Sequence, residues 1–339
     1  MKAIAIFNNK GGVGKTTLIC NLAAYYAKKM DKKVLIIDAD PQCNATSYLF
    51  EEKIIEKVYK PDKRETIQKI ITPYITGDPT ITKKKYPIKH SENFGVDVIM
   101  GDSELSRTED NLSKDWQDVL TGDKRGMKTT LFFVDLLSNL NEYDYVFFDV
   151  GPSLGALNRT VLLACDFFIM PMTADIFSLK AISNIAFCLK QWKEKIAEGF
   201  IRYENTNKER FPIPGNRIID VKLLGYVMQQ YKAKTANGEK IAVNSYEKII
   251  ADCRQQISIE LKDFYPKEFD EKSLQIGDIA HFASLIPMSQ SANKPVFNLE
   301  NKDGVKGAHF AKVADFEDVI KLIAQNIVKN IAEYVKMVG

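Results

Sequence analysis

The residues best suited to chemistry form one glycine-rich loop, NNKGGVGKTT, at positions 8–17. Glycines at three of four positions remove the Cβ atoms that would keep the backbone away from a ligand, so backbone N–H groups can approach an anion closely. These glycines are Gly11, Gly12 and Gly14. Lys15 is placed to reach the β- and γ-phosphates of a nucleotide, and Thr16 can offer its hydroxyl to a magnesium ion. The loop therefore predicts phosphate binding.

This loop departs from the ordinary phosphate-loop pattern at two neighbouring positions. Asn9 stands where that pattern has a glycine, and Lys10 adds a second cation ahead of the glycines. For a glycine cluster alone, the alternative is a tight turn without a ligand. Here an apolar run at residues 3–7 precedes the loop and a helix-like run at 18–29 follows it. Strand, loop and helix N-terminus converge on an anion, which favours the nucleotide.

Three aspartates follow apolar runs and extend the predicted site. Asp38 and Asp40 lie two residues apart after the run at 34–37, so both can project from one side of an extended backbone. Asp149 follows the run at 145–148. A carboxylate at the end of a buried strand is costly unless it meets a cation, and magnesium beside a triphosphate suits that need. A turn or helix-cap role is the alternative for each aspartate alone; together with the loop they indicate a metal–nucleotide site.

The elements that must position these residues are short apolar runs typical of buried parallel strands. They lie at residues 3–7, 34–37, 96–100, 145–148, 167–170, 223–228 and 283–286. Helix-length amphipathic segments separate most of them. This alternation predicts an α/β fold, a doubly wound, mostly parallel sheet with helices on both faces and ligands at the carboxyl ends of its strands. We expect a single domain over residues 1–339, with insertions at about 50–94 and 202–216, the latter as a loop.

Composition narrows the class of protein. Hydrophobic residues make up 45% and charged residues 27% of the chain, which is an ordinary balance for a globular protein. A net charge of +3 does not by itself indicate a polyanionic binding partner. The five cysteines include no C-x-x-C pair, which is typical of reduced thiols. No apolar stretch approaches the ~18 residues of a membrane span. The apolar pattern from residue 316 onward favours a packed helix over a membrane anchor. We therefore expect a cytoplasmic protein with no membrane partner.

Several motifs together resemble those of the deviant Walker A ATPases of the ParA, Soj and MinD type. They are KGGVGKTT at 10–17, DADPQCNAT at 38–46, FFDVGPSLG at 147–155 and LIPMSQSANKPVF at 285–297. They occur in the family's order and span nearly the whole chain. The stretches at 100–116 and 174–185 are similar to those of a longer ParA-like subgroup. The resemblance implies the P-loop NTPase fold, with ATP and Mg²⁺ as ligands.

The same resemblance implies a role for each site residue. Lys10 would reach across a dimer interface to the partner's nucleotide, and Asp40 would position or activate the attacking water. Asp38 and Asp149 would hold magnesium through its waters, with Thr16 as a direct ligand. Lys10, Lys15 and Asp40 would be the catalytic residues. The phosphates would contact Lys10, Gly11, Gly12, Val13, Gly14, Lys15, Thr16 and Thr17. The base would lie near Gln229, Pro287 and Met288. Residues 40–46 and 149–155 would be the two switch segments. The family often has Pro or Ala at the position of Gly151.

Family resemblance also implies the function. We expect an ATPase switch that dimerises with ATP, hydrolyses it slowly under stimulation by a ParB-like or other partner, and acts in DNA partitioning or in positioning a cargo. Non-specific DNA is a candidate surface, and the protein would then be associated with the nucleoid. The basic residues considered for DNA are Lys232, Lys234, Lys240, Lys321, Lys329, Lys336 and the lysines at 83–85. The alternative function is an ATP-dependent synthetase of the same superfamily that phosphorylates a carboxylate.

Overall fold

The computed structural model describes residues 1–60, 64–77, 86–207, 220–231, 233–236, 239–242, 244–280, 282 and 284–338. The strands of the main sheet are β1 (Lys2–Ile6), β2 (Val34–Asp38), β3 (Ile88–Ser91), β4 (Val96–Ile99), β5 (Tyr145–Asp149), β6 (Phe167–Thr173), β7 (Lys222–Tyr231) and β10 (Gln275–Ala280). Two further strands, β8 (Ala233–Ala236) and β9 (Glu239–Ala242), form a separate antiparallel hairpin. The α/β fold with a mostly parallel sheet is therefore confirmed.

Strand order in the main sheet is β10-β7-β6-β1-β5-β2-β4-β3, and only β3 runs antiparallel to its neighbour. The central strands are buried on both faces, which explains their continuous apolar sequences. From β1 the chain continues to β2 on one side of β1, and later it crosses from β5 to β6 on the other side of β1. Beside β1 the connections thus diverge, and ligands of open α/β sheets bind at such a point, outside the carboxyl ends of the strands.

Helices alternate with these strands and cover the sheet. They are α1 (Lys15–Lys29), α2 (Asn44–Leu49), α3 (Glu52–Val58), α4 (Gln68–Thr76), α5 (Leu105–Val119), α6 (Lys124–Thr130), α7 (Phe132–Ser138), α8 (Ala156–Ala164), α9 (Ile176–Asn207), α10 (Asn244–Glu260), α11 (Glu271–Leu274), α12 (Leu285–Ser291) and α13 (His309–Val338). Because β1–α1–β2 and β5–α8–β6 move in opposite directions along the sheet, right-handed crossovers place α1 and α8 on opposite faces. Accordingly, α1 packs on α13, and α5 packs on α8 and α9.

The predicted strand at 283–286 is wrong. Leu285 and Ile286 begin α12, and the last strand of the sheet is β10. The run before Pro287 is apolar, but proline fits the first turn of a helix, where its missing N–H has no partner to lose. In β10, Gly277 and Asp278 interrupt the apolar pattern that would have marked a buried strand.

The predicted insertions contain regular structure. The segment at 50–94 includes α3, α4 and the edge strand β3. The segment at 202–216 was expected to be a loop, but its first part is the end of α9, which continues to Asn207. Residues 83–85, 208–216 and Lys232 lie outside the described residues. Among the described helices, none is both long enough and apolar enough to cross a bilayer. A single domain with two insertions stays a prediction.

Candidate functional site

The glycine-rich loop joins the carboxyl end of β1 to the start of α1. Gly12 and Gly14 both have φ of 72°, in the left-handed region that favours glycine. Gly14 is the N-cap of α1, which begins at Lys15. The first N–H groups of a helix have no intrahelical partner, so at this position they can act as donors to an anion. The loop backbone and the helix terminus therefore form one anion-binding surface.

Lys15 lies within this loop and is nearly buried. Its Nζ donates to the carbonyl oxygens of Asn8 at 3.3 Å and Lys10 at 3.1 Å. Burial lowers the pKa of Lys15, while the nearby carboxylates of Asp149 and Asp40 act in the opposite direction. A cation held only by carbonyl dipoles in a buried site gains strongly from an added anion. Lys15 is thus positioned to bind a phosphate group.

Two aspartates lie side by side at the carboxyl ends of neighbouring strands. Asp38 on β2 is in register with Asp149 on β5, and both are fully buried. Thr16 Oγ1 donates to Asp149 Oδ2 at 2.8 Å, whereas Asp149 Oδ1 has no hydrogen-bond partner in the described part of the chain. Burial, followed by the charge of Asp38, raises the pKa of Asp149 well above its ordinary value. A buried, unpartnered carboxylate oxygen beside a hydroxyl fits a divalent cation.

Asp38 is held in place by its own hydrogen bonds. Its Oδ2 accepts from the backbone N–H of Thr46 at 2.8 Å and from Thr46 Oγ1 at 2.6 Å. Burial raises the pKa of Asp38 to about 6, although these hydrogen bonds favour the charged form. Thr46 Oγ1 in turn accepts from Gly101 N–H at 2.8 Å, which ties the turn after β2 to the loop after β4.

The oxygen ligands of this site suit magnesium better than they suit a metal ion that takes all of its ligands from the protein. The described ranges contain no group of three or more His, Cys, Asp and Glu side chains that could hold a metal ion. Magnesium usually keeps several waters and takes its remaining oxygens from one or two carboxylates and from phosphate. Thr16, Asp38 and Asp149 supply oxygens of that kind next to the loop. The residues present therefore fit a Mg²⁺–nucleotide complex.

Asp40 projects into a cavity of about 430 Å³ in front of the loop. Its Oδ1 accepts from Gln42 N–H at 3.0 Å, and its own N–H donates to Asp38 Oδ1 at 3.2 Å. The cavity is lined by the loop from Gly11 to Thr17 and by Asp40, Gln42, Asn44, Ser47, Tyr48, Pro152 and Gln290. Both segments predicted to be switches, 40–46 and 149–155, thus contribute to its wall. A carboxylate in this cavity could contact a water molecule facing a bound phosphate.

Lys10 contacts the end of β6 and the residues that follow it. Its Nζ donates to Thr173 Oγ1 at 2.8 Å and forms an ion pair with the carboxylate of Asp175. Thr173 Oγ1 also donates to the same carboxylate at 2.6 Å. Within one chain, Lys10 is therefore engaged by an acidic partner from the neighbouring strand end.

A second cavity, of about 280 Å³, adjoins the loop on the side of β7 and β10. Among the described residues, its lining is Gly14, Thr17, Leu18, Gln229, Ile279, Ala280, Phe282, Ile286, Pro287 and Phe316. Gln229 and Pro287, predicted to lie near a base, line it, and Met288 does not. The apolar residues from β10 and α13 were missed because β10 was not recognised as a strand. A largely apolar cavity of this kind suits a nucleobase.

Comparisons with known proteins place the chain in a family. A family model described as AAA domain matches residues 1–201. The sporulation initiation inhibitor protein Soj of Bacillus subtilis is 32% identical over 184 residues, which cover 54% of this chain and 63% of Soj. The chromosome partitioning protein ParA of Myxococcus xanthus is 30% identical over 194 residues, which cover 57% of this chain and 59% of ParA. The chain thus covers less than two thirds of these relatives.

A solved structure extends the similarity beyond that region. Protein DIP2308 of Corynebacterium diphtheriae is 31% identical, with a TM-score of 0.71 over 86% of this chain and 97% of that protein. The AAA domain model covers more than half of the chain, and Soj and ParA are among its relatives. On these grounds, and on the glycine-rich loop and its aspartates, the chain belongs to the ParA-type P-loop ATPases of the AAA domain family.

Proposed function

We propose that this protein is an ATPase switch that dimerises with ATP and acts in partitioning DNA or in positioning another cargo. The observation that carries the proposal is Asp149 Oδ1, a buried carboxylate oxygen without a partner in the described part of the chain, beside Thr16 and the loop. Leaving such an oxygen unpaired costs free energy that a bound cation would recover. A Mg²⁺–ATP complex supplies that cation and the anion that the loop accommodates.

In this proposal the loop binds the phosphates and Lys15 supplies the main positive charge. Lys15 would exchange the carbonyl oxygens of Asn8 and Lys10 for phosphate oxygens, which form stronger, charge-assisted hydrogen bonds. Thr16 would coordinate magnesium directly, with Asp38 and Asp149 holding its waters. When bound, magnesium neutralises charge on the phosphate oxygens during transfer. The buried aspartates then gain the cation that makes their ionised state favourable.

Asp40 would orient the attacking water and accept its proton. Its carboxylate lies in the cavity in front of the loop, where both switch segments meet. Pro152, in the second switch segment, lies close to Gly11 of the loop. A Cβ built on Gly11 would be 4.0 Å from Pro152 Cγ. Loss of the γ-phosphate would therefore be felt by both segments, which is the basis of a nucleotide switch.

Lys10 would act in trans. A second cation on the triphosphate neutralises charge that one lysine and one magnesium ion leave uncompensated. For this, Lys10 would leave Asp175 and reach the nucleotide of a second copy of the chain. Dimerisation would then depend on ATP. Slow hydrolysis stimulated by a ParB-like or other protein would return the dimer to monomers, and the name of the chromosome partitioning protein ParA of Myxococcus xanthus supports a role in partitioning.

The experiment that tests this proposal is calorimetry of Mg²⁺–ATP binding to the parent and to Lys15→Ala, with phosphate release measured in parallel. Lys222→Ala is the matched control, because Lys222 lies at the amino end of β7, at the other end of the strands from the loop, and pairs with Asp220. We expect binding and slow hydrolysis in the parent and the control, and neither in Lys15→Ala. Unchanged ATP affinity in Lys15→Ala would overturn the assignment of the site.

A further inference from the structure

One buried side chain, that of Asn158, forms hydrogen bonds to the backbone segment that faces Asp40. Asn158, in the first turn of α8, is 2% exposed. Its Nδ2 donates to the carbonyl oxygens of Gly151 at 2.8 Å and Ser153 at 2.7 Å. One amide group thus holds two carbonyl groups of the second switch segment. Buried amides that bridge two backbone groups are costly to lose, because both acceptors are then left unpaired.

Gly151 presents its bare Cα to the carboxylate of Asp40. A Cβ built on Gly151 would lie 3.2 Å from Asp40 Oδ1 and 3.5 Å from its Cγ. The third-nearest atom is Asp40 Oδ2, at 3.9 Å. Gly151 is not among the glycines with positive φ, so its backbone conformation is open to other residues. Among the described residues, the three atoms nearest to such a Cβ all belong to the Asp40 carboxylate.

The carboxylate of Asp40 has a neighbour on each of two sides. On one side Oδ1 accepts from Gln42 N–H at 3.0 Å, and on the other it faces Gly151, where an added Cβ would lie 3.2 Å from Oδ1. Gln42 belongs to the same turn as Asp40, whereas Gly151 belongs to the segment that Asn158 holds through two hydrogen bonds. The space open to the Asp40 carboxylate is thus bounded by the segment that Asn158 holds.

We propose that Asn158 and Gly151 are positioning residues for Asp40. Asn158 fixes the backbone at 151–153, and Gly151 leaves the space in which the Asp40 carboxylate faces the nucleotide cavity. This inference rests on the proposed role of Asp40 in hydrolysis. Neither residue touches the cavity through its own side chain, so ATP binding should change little when they are altered. A displacement of a few tenths of an ångström at a group that orients water lowers turnover more than it lowers ground-state binding.

The first experiment compares Asn158→Ala with Asn330→Ala. Asn330 is a matched control: it is 3% exposed and donates to two carbonyl oxygens, Leu224 at 2.9 Å and Ser273 at 2.8 Å. Both variants should lose melting temperature to a similar extent. Only Asn158→Ala should lower kcat, by about tenfold or more, with its dissociation constant for ATP within about twofold of the parent. Equal kcat in Asn158→Ala and the parent, or an equal loss in both variants, would overturn the proposal.

A second experiment is independent of folding losses at Asn158, and its main readout, the melting temperature, does not require ATPase activity. Gly151→Ala is made in the parent and in Asp40→Ala, and the melting temperatures of all four proteins are measured without nucleotide. The added Cβ should lower the melting temperature in the parent and not in Asp40→Ala, where the contacted carboxylate is gone. In the parent it should also lower kcat by about tenfold. An identical shift in both backgrounds would overturn the contact. If the parent itself hydrolyses no ATP, the proposed function fails, while the four melting temperatures still decide on Gly151.

Discussion

Lys10 is ion-paired with Asp175 of its own chain, at the carboxyl end of the strand next to the loop. Burial opposes ionisation of Asp175, but the hydrogen bonds from Lys10 and Thr173 prevail and lower its pKa. The lysine that we propose to contact the phosphates of a second chain is thus ion-paired within one chain. Its transfer exchanges one anionic partner for another, so the charge of Lys10 is compensated in both states.

Asp175→Asn should therefore strengthen ATP-dependent dimerisation. The pair is partly exposed, with about a third of each side chain accessible, and such pairs contribute up to about 1 kcal/mol. We expect the dimer dissociation constant to fall a few-fold in Asp175→Asn, measured by sedimentation with ATP in an Asp40→Ala background that does not hydrolyse it. Lys10→Ala in the same background should remain monomeric. A weaker dimer in Asp175→Asn would mean that Asp175 contributes to the interface itself.

Asp38→Asn should stabilise the nucleotide-free protein at neutral pH. Because the pKa of Asp38 is raised from 3.8 to about 6 by burial, the folded state binds a proton more tightly than the unfolded state. The stability that this proton provides is present below about pH 4 and is lost as the pH rises through 6. The asparagine variant lacks this loss, and a difference of two pH units corresponds to about 3 kcal/mol at most.

Urea unfolding of the parent and Asp38→Asn between pH 4 and 8, without nucleotide or magnesium, measures this difference. The free energy of unfolding of the variant should exceed that of the parent by an amount that grows from pH 4 to 7 and then levels off. An asparagine carbonyl can still accept from Thr46, so the shared hydrogen bonds do not produce the trend. A pH-independent difference between the two proteins would contradict it.

Gln229→Leu should reduce the preference for ATP over GTP. The Gln229 side chain is buried, and its Nε2 has no partner among the described residues. It borders the apolar cavity beside Gly14, where a base would lie. Removing an amide that pairs with a base should weaken ATP binding by about tenfold or more. Calorimetry with ATP, GTP and inorganic triphosphate separates the contribution of the base from that of the phosphates, because the affinity for triphosphate should not change. Equal losses for all three ligands would place the effect in the loop.

ATP-bound Asp40→Ala should be retained on random-sequence DNA, with retention falling steeply between low and physiological salt. Lys321, Lys329 and Lys336 are exposed on α13 and are candidates for phosphate contacts. Reversing their charges should abolish retention. Reversing three other exposed lysines provides the control; these are Lys53, Lys69 and Lys302. If the ATP dimer is not retained even at low salt, the carrier is something other than DNA, and a protein partner is the next to test.

Local sequence was sufficient to predict the parts of the site that lie within one strand–loop–helix unit. The glycines, Lys15 and the aspartates each follow an apolar run that ends at the carboxyl edge of the sheet. The strand β10 escaped prediction because Gly277 is required there: a Cβ would lie 2.4 Å from Ile323 Cγ1 of α13. That close packing, the apolar cavity beside it and the contact between Lys10 and Asp175 join residues that are distant in sequence. Periodicity along one segment cannot reveal such contacts.

Hydrogen bonds from residues outside the turn after β2 hold the helix α2 in place. Thr46 is bonded to Asp38, and Asn293 Nδ2 donates to three carbonyl oxygens at 3.1 Å each. These carbonyl groups belong to Ser47, Tyr48 and Phe50. Any movement that keeps these bonds is confined to residues 41–45, around Cys43 with its φ of 53°. In the proposed first switch, residues 40–46, movement on nucleotide binding would therefore be short and would lie beside the phosphate site, while α2 behind it would stay in place.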